Sequence, residues 1–268
     1  MVNILCVGDV VGSPGRRVLA QALPRLADER DIHCNVVNVE NVASGSGLTP
    51  ALYKKMLACG AHLMTLGDHV FRRKEIIPTL EESKQIVRPA NLPAEAPGRC
   101  VAIYQTQAGH KVAVVALLGR LFINQQTDCP YRTIDRILKT IPPDVRIIVV
   151  DMHAEATSEK IAMGWHLDGR VSILFGTHTH VPTADERILP QGTAYITDLG
   201  MTGPYDSVLG RSKERVLGAI LSAVPMPFNV ATDDVRLCGI AVTVDPATGK
   251  AQSIERVRAD WVEDGSAE

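Results

Sequence analysis

The sequence predicts an α/β fold in which two β-sheets pack face to face and helices cover their outer faces. Apolar runs such as 2–7, 111–118 and 145–150 are nearly continuous, which is typical of strands that are buried on both faces. Segments with helical periodicity, such as 16–29, lie between these runs. Because about ten strands alternate with helices, we predict a four-layer α-β-β-α sandwich with two mixed sheets.

Strands and helices alternate in the first third of the chain. We predict strands over 2–7, 34–39 and 62–66, and helices over 16–29, 50–60 and 73–83. A loop over 8–15 joins the first strand to its helix. Thr49 and Pro50 suit the N-cap and first turn of the second helix, and Gly60 suits its C-cap.

Adjacent strands become more frequent in the rest of the chain. We predict strands over 100–106, 111–118, 145–150, 171–175, 193–197, 235–244 and 252–257, and helices over 131–141, 158–167 and 212–223. The strand over 171–175 is expected to end at Gly176, where the backbone can turn. His178 and His180 follow at alternate positions, so both imidazoles would share one face if the strand geometry continued.

Composition limits the class of protein. With 268 residues, 46% hydrophobic residues and a net charge of −2, the chain suits a single globular domain, and no basic excess suggests a nucleic-acid duplex as partner. We expect that domain to span 1–268, with a short acidic tail from about residue 263. No apolar run reaches the length of a membrane span, and the first apolar run is typical of a strand and not of a signal peptide. The six cysteines are scattered, so we expect a reducing, cytoplasmic setting.

Potential metal ligands follow five of the predicted strands. In α/β sheets, sites gather beyond the carboxyl ends of the strands, and a mixed set of carboxylate, amide and imidazole groups suits manganese, iron or zinc. Two such ions about 3.5–4 Å apart would clamp a phosphate and activate a water. Any one of these residues alone could be an ordinary capping or loop residue. The set comprises Asp9, Glu40, Asn41, Asp68, His69, His153, His178 and His180.

Two other site types fit less well. The loop 8–15 contains three glycines, but their spacing differs from the dinucleotide fingerprint, and no Gly-Lys-Ser/Thr follows for a P-loop. Asp9 would also repel a pyrophosphate unless a cation lay between them. The chain has no Gly-x-Ser-x-Gly elbow, which argues against a serine hydrolase.

Six motifs along nearly the whole chain resemble those of the YmdB-like metallophosphoesterases. In order, they are GDVVG, NVENVASGSG, GDHVFRRKE, DMHAEATSEK, GTHTHVPTAD and MTGPYDSVLG. The resemblance implies a calcineurin-like fold and a centre of two transition-metal ions, iron or manganese before zinc. It also implies a 2′,3′-cyclic-nucleotide 2′-phosphodiesterase, which leaves the 3′-phosphate, and a small nucleotide as the partner.

The resemblance also implies roles for the residues at the strand ends. Asp9 and His180 would hold the first metal, and Glu40 would bridge the two ions. The second metal would be held by Asp68, His153 and His178. Asn41 would contact a metal or the phosphate, and His69 would be the catalytic histidine that meets the substrate.

One position departs from the family pattern. Where the family usually has Gly-Asn-His, this chain has Gly67, Asp68 and His69. An aspartate still ligates, but it adds a negative charge, which should weaken the attraction for phosphate or favour a more highly charged ion. In addition, Val11 stands where the wider superfamily has a histidine, so the protein would supply few ligands to the first metal.

Two alternatives stay open at the level of sequence. One is a general phosphodiesterase or phosphomonoesterase with the same metal centre. The other is a nucleotide-binding regulatory protein with weak catalysis, for which Asp68 and Val11 leave room. An assembly of several copies of the chain is compatible with the sequence.

Overall fold

The computed structural model describes residues 1–263, so the predicted acidic tail lies almost entirely outside the described residues. The strands are β1 (Val2–Val7), β2 (Cys34–Asn38), β3 (Leu63–Thr65), β4 (Ile86–Val87), β5 (Ala102–Gln105), β6 (Lys111–Leu118), β7 (Ile147–His153), β8 (Ile173–Thr177), β9 (Arg187–Ile188), β10 (Ala194–Ile196), β11 (Gly203–Pro204), β12 (Val235–Val244) and β13 (Ala251–Asp260). The helices are α1 (Gly12–Glu29), α2 (Pro50–Ala58), α3 (Ile77–Glu82), α4 (Pro130–Leu138), α5 (Thr157–Leu167) and α6 (Lys213–Ser222), and a short 3₁₀ turn over Lys74–Ile76 leads into α3.

The strands form two mixed sheets. The first has the order β11-β12-β1-β2-β3-β4, with β13 paired to β12, and its strands β1 to β4 are parallel. The second has the order β5-β6-β7-β8-β10-β9, in which β6, β7, β8 and β10 are parallel. Antiparallel strands lie on one side of the parallel run in the first sheet, next to β1, and on both sides of it in the second.

Three apolar cores lie between four layers, because successive side chains of one strand point to opposite faces of its sheet. In β1, Leu5 and Val7 face the helices of the first outer layer, whereas Ile4 and Cys6 face the second sheet. Strand β6 divides its side chains in the same way between the central core and the core beneath α4 and α5. Both sheets are therefore buried on both faces, and the predicted four-layer sandwich is confirmed.

The first helix begins earlier than the sequence predicts. Residues 12–15, which we assigned to a loop, form the first turn of α1. Pro14 is tolerated there because the first helical N–H groups have no partner within the helix. Gly15 is required by packing, since a Cβ at this position would lie 2.3 Å from the carbonyl oxygen of Thr202. Residues 12–15 were assigned to a loop because glycine and proline are more typical of loops than of helices.

Strand β8 also departs from the prediction. It continues through Gly176 to Thr177, so Gly176 does not end it. A Cβ on Gly176 would lie 1.8 Å from the carbonyl oxygen of Thr197, and the glycine thus permits the close approach of the segment that follows β10. His178 and His180 lie beyond the strand with φ values of 92° and 62°, so the expected alternation of their side chains along a strand is wrong.

The remaining differences are small. Strands β4, β9 and β11 have two residues each and were missed, because such short pairings leave no periodicity in the sequence. The predicted cap of α2 is present, since the Thr49 hydroxyl accepts a hydrogen bond from the N–H of Leu52. Within residues 1–263, no helix is long and apolar enough to cross a membrane.

Candidate metal centre

The carboxyl ends of the parallel strands of both sheets meet at one edge of the sandwich. The turns after β1, β2 and β3 carry Asp9, Glu40 and Asp68, so the first sheet supplies the carboxylates. The second sheet supplies imidazoles, because His153 is the last residue of β7 and His178 follows β8 directly. The site therefore forms only where the two sheets pack against each other.

Four of these side chains form a compact cluster, which we call the four-donor cluster: Glu40, Asp68, His153 and His178. One ligand atom from each lies within 4.8 Å of the others. His153 Nε2 lies 3.0 Å from Asp68 Oδ1 and 3.3 Å from Glu40 Oε1. His178 Nδ1 lies 3.0 Å from the same nitrogen of His153.

A chain of buried hydrogen bonds fixes the tautomer of His153. Thr177 donates its hydroxyl proton to Asp151 Oδ1 at 2.6 Å, so its oxygen is free to accept from His153 Nδ1 at 2.8 Å. Asp151 also accepts from Thr65 at 2.5 Å and from Asn38 at 3.0 Å. With its proton held on Nδ1, His153 directs the Nε2 lone pair at the cluster.

An exposed carboxylate orients His178 in the same way. Glu155 Oε2 lies 3.1 Å from His178 Nε2, which places the ring proton on Nε2 and leaves Nδ1 as an acceptor. Glu155 was not predicted from the sequence, although it lies two residues after His153 in the DMHAEATSEK motif. A carboxylate beside a histidine of a ligand set is the signal that would have identified it.

The chemistry of this donor set fits a cation. The carboxylate oxygens and imidazole nitrogens lie 3.0–3.5 Å from their neighbours in the cluster, so a proton or a metal ion among them would relieve the repulsion between their lone pairs. Burial opposes protonation of His153, but Glu40, Asp68 and Asp9 outweigh it and raise the pKa of His153 to about 10. Proton and metal compete for such ligands, and a metal ion would displace this proton.

A second group of donors lies beside the four-donor cluster. Asp9 Oδ1 and His180 Nε2 are 3.9 Å apart, and Asp9 Oδ1 is buried without a hydrogen-bond partner among the described residues. The Nδ1–H of His180 donates to the carbonyl oxygen of Leu209 at 3.1 Å, which leaves Nε2 as an acceptor. Burial lowers the pKa of His180 and raises that of Asp9. The unpartnered oxygen of Asp9 also fits a cation.

Asn41 and His69 join these two groups. The Asn41 amide nitrogen lies 3.2 Å from both Glu40 Oε1 and His180 Nε2, and its oxygen accepts from His69 Nδ1 at 3.1 Å. A hydrogen bond with Glu40 raises the pKa of His69. Because Nδ1 is engaged, Nε2 is the ring nitrogen of His69 that remains for a substrate.

A buried ion pair holds the loop that carries His178 and His180. Lys160 Nζ lies 2.7 Å from Asp198 Oδ2, and both side chains are almost completely buried. The same carboxylate oxygen accepts from the backbone N–H of Thr179 at 3.3 Å and from its hydroxyl at 2.5 Å. Neither charged residue was predicted from the sequence, because nothing in the local sequence indicates that a lysine in a helix is buried.

A cavity of about 280 Å³ opens in front of these side chains. Its lining includes Glu40, Asn41, His69, His178 and His180. Arg211 also lines it and is the sole lysine or arginine among the lining residues. All eight side chains singled out in the sequence therefore lie in one region, at the edge where the two sheets meet. Their assignment as metal ligands or catalytic groups stays a prediction.

Comparisons with known proteins agree with the motifs. The family model described as YmdB-like protein matches residues 5–257. The chain is 43% identical to a 2′,3′-cyclic-nucleotide 2′-phosphodiesterase of Bacillus subtilis (strain 168) over 96% of both chains. It is 33% identical to a putative phosphatase/phosphodiesterase of Mycoplasma pneumoniae over 96% of this chain and 92% of that protein.

Two solved structures share the whole fold. A hypothetical protein from Thermus thermophilus superposes with a TM-score of 0.90 at 37% identity, covering 97% of this chain and 99% of that chain. A novel phosphatase from Mycoplasma pneumoniae superposes with a TM-score of 0.90 at 32% identity, covering 97% and 93%. Since the family model and these relatives each span nearly the entire sequence, the chain belongs to the YmdB-like protein family.

Proposed function

We propose that this protein is a metal-dependent phosphodiesterase that hydrolyses 2′,3′-cyclic nucleotides to 3′-nucleotides. The observation that carries the proposal is the convergence of carboxylates and imidazoles on one cavity, in a chain that is 43% identical to a 2′,3′-cyclic-nucleotide 2′-phosphodiesterase over 96% of its length. The substrate is a small nucleotide, and the cavity of about 280 Å³ lies near the lower end of the range for small-molecule sites.

Two transition-metal ions, iron or manganese before zinc, complete the proposed centre. Glu40, Asp68, His153 and His178 would hold one ion, and Asp9 and His180 would hold the other, with Glu40 and Asn41 between them. When bound, such ions supply positive charge for the phosphate and acidity for a water molecule. The mixed oxygen and nitrogen donors suit these metals better than magnesium.

His69 is the residue that we assign to proton transfer. His69 lines the cavity, its Nδ1 is held by Asn41 and Glu40, and its raised pKa favours the protonated ring. Water adds to phosphorus and gives up one proton to the solvent, the bond from phosphorus to O2′ breaks, and O2′ takes a proton from His69 while the phosphate stays on O3′. His69 then regains a proton from the solvent. Relief of strain in the five-membered ring assists the same bond cleavage.

A phosphomonoesterase with the same centre is the second candidate. It is favoured by the names of the relatives, since the Mycoplasma pneumoniae protein is called a putative phosphatase/phosphodiesterase. Asp68 does not favour it, because an additional carboxylate weakens the attraction of the centre for a phosphate dianion more than for a diester monoanion.

One experiment separates the two candidates. Protein purified without added metal is analysed for its metal content and then assayed with adenosine 2′,3′-cyclic phosphate and with 3′-AMP. We expect up to two iron or manganese ions per chain and 3′-AMP as the accumulating product. Hydrolysis of 3′-AMP without hydrolysis of the cyclic diester would favour the phosphomonoesterase, and a protein that takes up no metal would overturn both candidates.

We also propose a cytoplasmic location. All six cysteines are free thiols, and none is paired in a disulfide. Reduced cysteines are typical of the cytoplasm. Fractionation of cells that produce the native protein tests this assignment, and recovery from an oxidising compartment would contradict it.

A further inference from the structure

The loop over 119–128 carries an aromatic side chain that the proposed reaction does not use. It leaves the end of β6, and Phe122 lies in it with 83% of its surface exposed. The next residue, Ile123, is buried in the core between the first sheet and its helices. Ile123 therefore anchors the loop, whereas the ring of Phe122 contributes little to packing.

Both halves of this loop are bonded to residues of the four-donor cluster. The backbone N–H of Gly119 donates to the carbonyl oxygen of His153 at 2.9 Å. The side-chain amide of Gln125 donates to the backbone carbonyl of Asp68. Phe122 lies three residues from each anchor, so its Cα is within about 11 Å of both anchoring Cα atoms. The loop that carries Phe122 is therefore attached on both sides of this residue to the backbone of cluster residues.

The conformation of the loop is fixed and unfavourable at Phe122. Glu159 accepts from the backbone N–H groups of Arg120 at 2.9 Å and Leu121 at 3.2 Å, which holds the segment that precedes Phe122. Phe122 itself has a φ of 64°, in the left-handed region that bulky side chains disfavour. Strained residues of this kind cluster at ligand-binding sites.

We propose that Phe122 binds substrate, and that its ring stacks on the nucleobase of a nucleotide whose phosphate lies at the four-donor cluster. The inference rests on the proposed function. Six of the eleven residues that line the cavity carry a carboxylate, amide or imidazole group, which suit a phosphate and its ions. A nucleobase is planar and largely apolar on its faces, and exposed aromatic rings bind every base through this surface. Phe122 would thus give affinity for nucleotides in general, with little preference among bases.

Phe122→Gly is the informative variant, because glycine adopts a φ of 64° without strain and the loop keeps its conformation. Binding of 3′-AMP and of ribose 3-phosphate, which lacks the base, is measured by calorimetry on manganese-loaded protein. We expect the Kd of 3′-AMP to rise at least about fivefold, the lower end of what one stacked base contributes. The Kd of ribose 3-phosphate should not change, and Phe122→Trp should bind 3′-AMP as well as the unmodified protein does.

Leu221→Ala is the matched control, because Leu221 is a large apolar residue with a similar exposure of 85%. It should change neither Kd. Equal weakening of both ligands by Phe122→Gly would show that the loop acts on the phosphate site, and no change in either Kd would show that the ring touches no substrate. Either result overturns the inference alone. If the unmodified protein neither binds 3′-AMP nor hydrolyses the cyclic diester, the proposed function itself fails.

Discussion

Removal of the buried charge of Lys160 should strongly destabilise the protein. Lys160 and Asp198 are 0% and 1% exposed, and their charged atoms lie 2.7 Å apart. Lys160→Met keeps most of the side-chain volume but leaves the Asp198 carboxylate buried without its counter-charge. Breaking one side of such a pair costs about 3–5 kcal/mol. For a chain of this size, the melting temperature should fall by about 6–20 °C.

The double variant Lys160→Met/Asp198→Asn tests whether the charge is the cause. It buries no net charge, and its amide oxygen can still accept from the N–H of Thr179 or Gly200, which Asp198 now binds. We expect it to be more stable than the sum of the two single variants predicts. Thermal and urea unfolding of all four proteins give the coupling energy. If the losses are simply additive, the pair does not stabilise the fold as argued.

Lys111→Met provides the matched control. Lys111 forms an ion pair with Asp144 at 2.6 Å, but these side chains are 39% and 59% exposed. Solvent-exposed pairs contribute about 0–1 kcal/mol, so the melting temperature should change little. A loss as large as that of Lys160→Met would mean that burial is not what makes the Lys160 pair important.

Three further predictions concern the candidate centre. Asp68→Asn should require more manganese for full activity, because a charged ligand is lost, yet phosphate should inhibit the manganese-saturated enzyme more strongly, because the centre is more positive. An unchanged manganese requirement together with weaker phosphate inhibition would show that Asp68 is not a charged ligand. His69→Ala should keep its metals, as measured by elemental analysis, and its turnover should fall by about 10²–10⁴-fold. The control His166→Ala removes a histidine that lies 3.0 Å from Asp135, and its turnover should not change. Loss of metal from His69→Ala would show that His69 is a ligand. Manganese at 100 times its Kd should stabilise the folded protein by about 2.7 kcal/mol in thermal unfolding, and Glu40→Gln should reduce this stabilisation. If manganese leaves the melting temperature of the unmodified protein unchanged, this would argue against binding at the cluster.

The hydrophobic pattern of the sequence predicted the four layers, and the polar residues near the ends of the predicted strands indicated where the candidate site lies. Burial on both faces of β1 and β6 makes their sequences continuously apolar, so both strands were recognisable. Asp9 and His153 were found because parallel strands bring their carboxyl ends to the same edge.

What the sequence did not reveal depends on partners distant along the chain. Lys160 lies 38 residues from Asp198, and only the folded chain shows that the two charges are buried together. Gly176 resembled a turn residue, although its role is the close approach of Thr197, which no local pattern encodes. The left-handed backbone conformation of Phe122 could not be predicted from the sequence either, because phenylalanine does not favour that conformation.

The origin of the donors shows how the packing of the two sheets positions the candidate centre. The first sheet brings carboxylates and the second brings imidazoles, so unlike groups meet across the interface between the sheets. Beneath them, Asp151 of the second sheet accepts hydrogen bonds from Thr65 and Asn38, the last residues of two strands of the first sheet. Burial raises the pKa of Asp151, and these donors, together with Thr177, oppose that effect. The apolar core between the sheets holds the network in place, so the packing of the sandwich positions the donors.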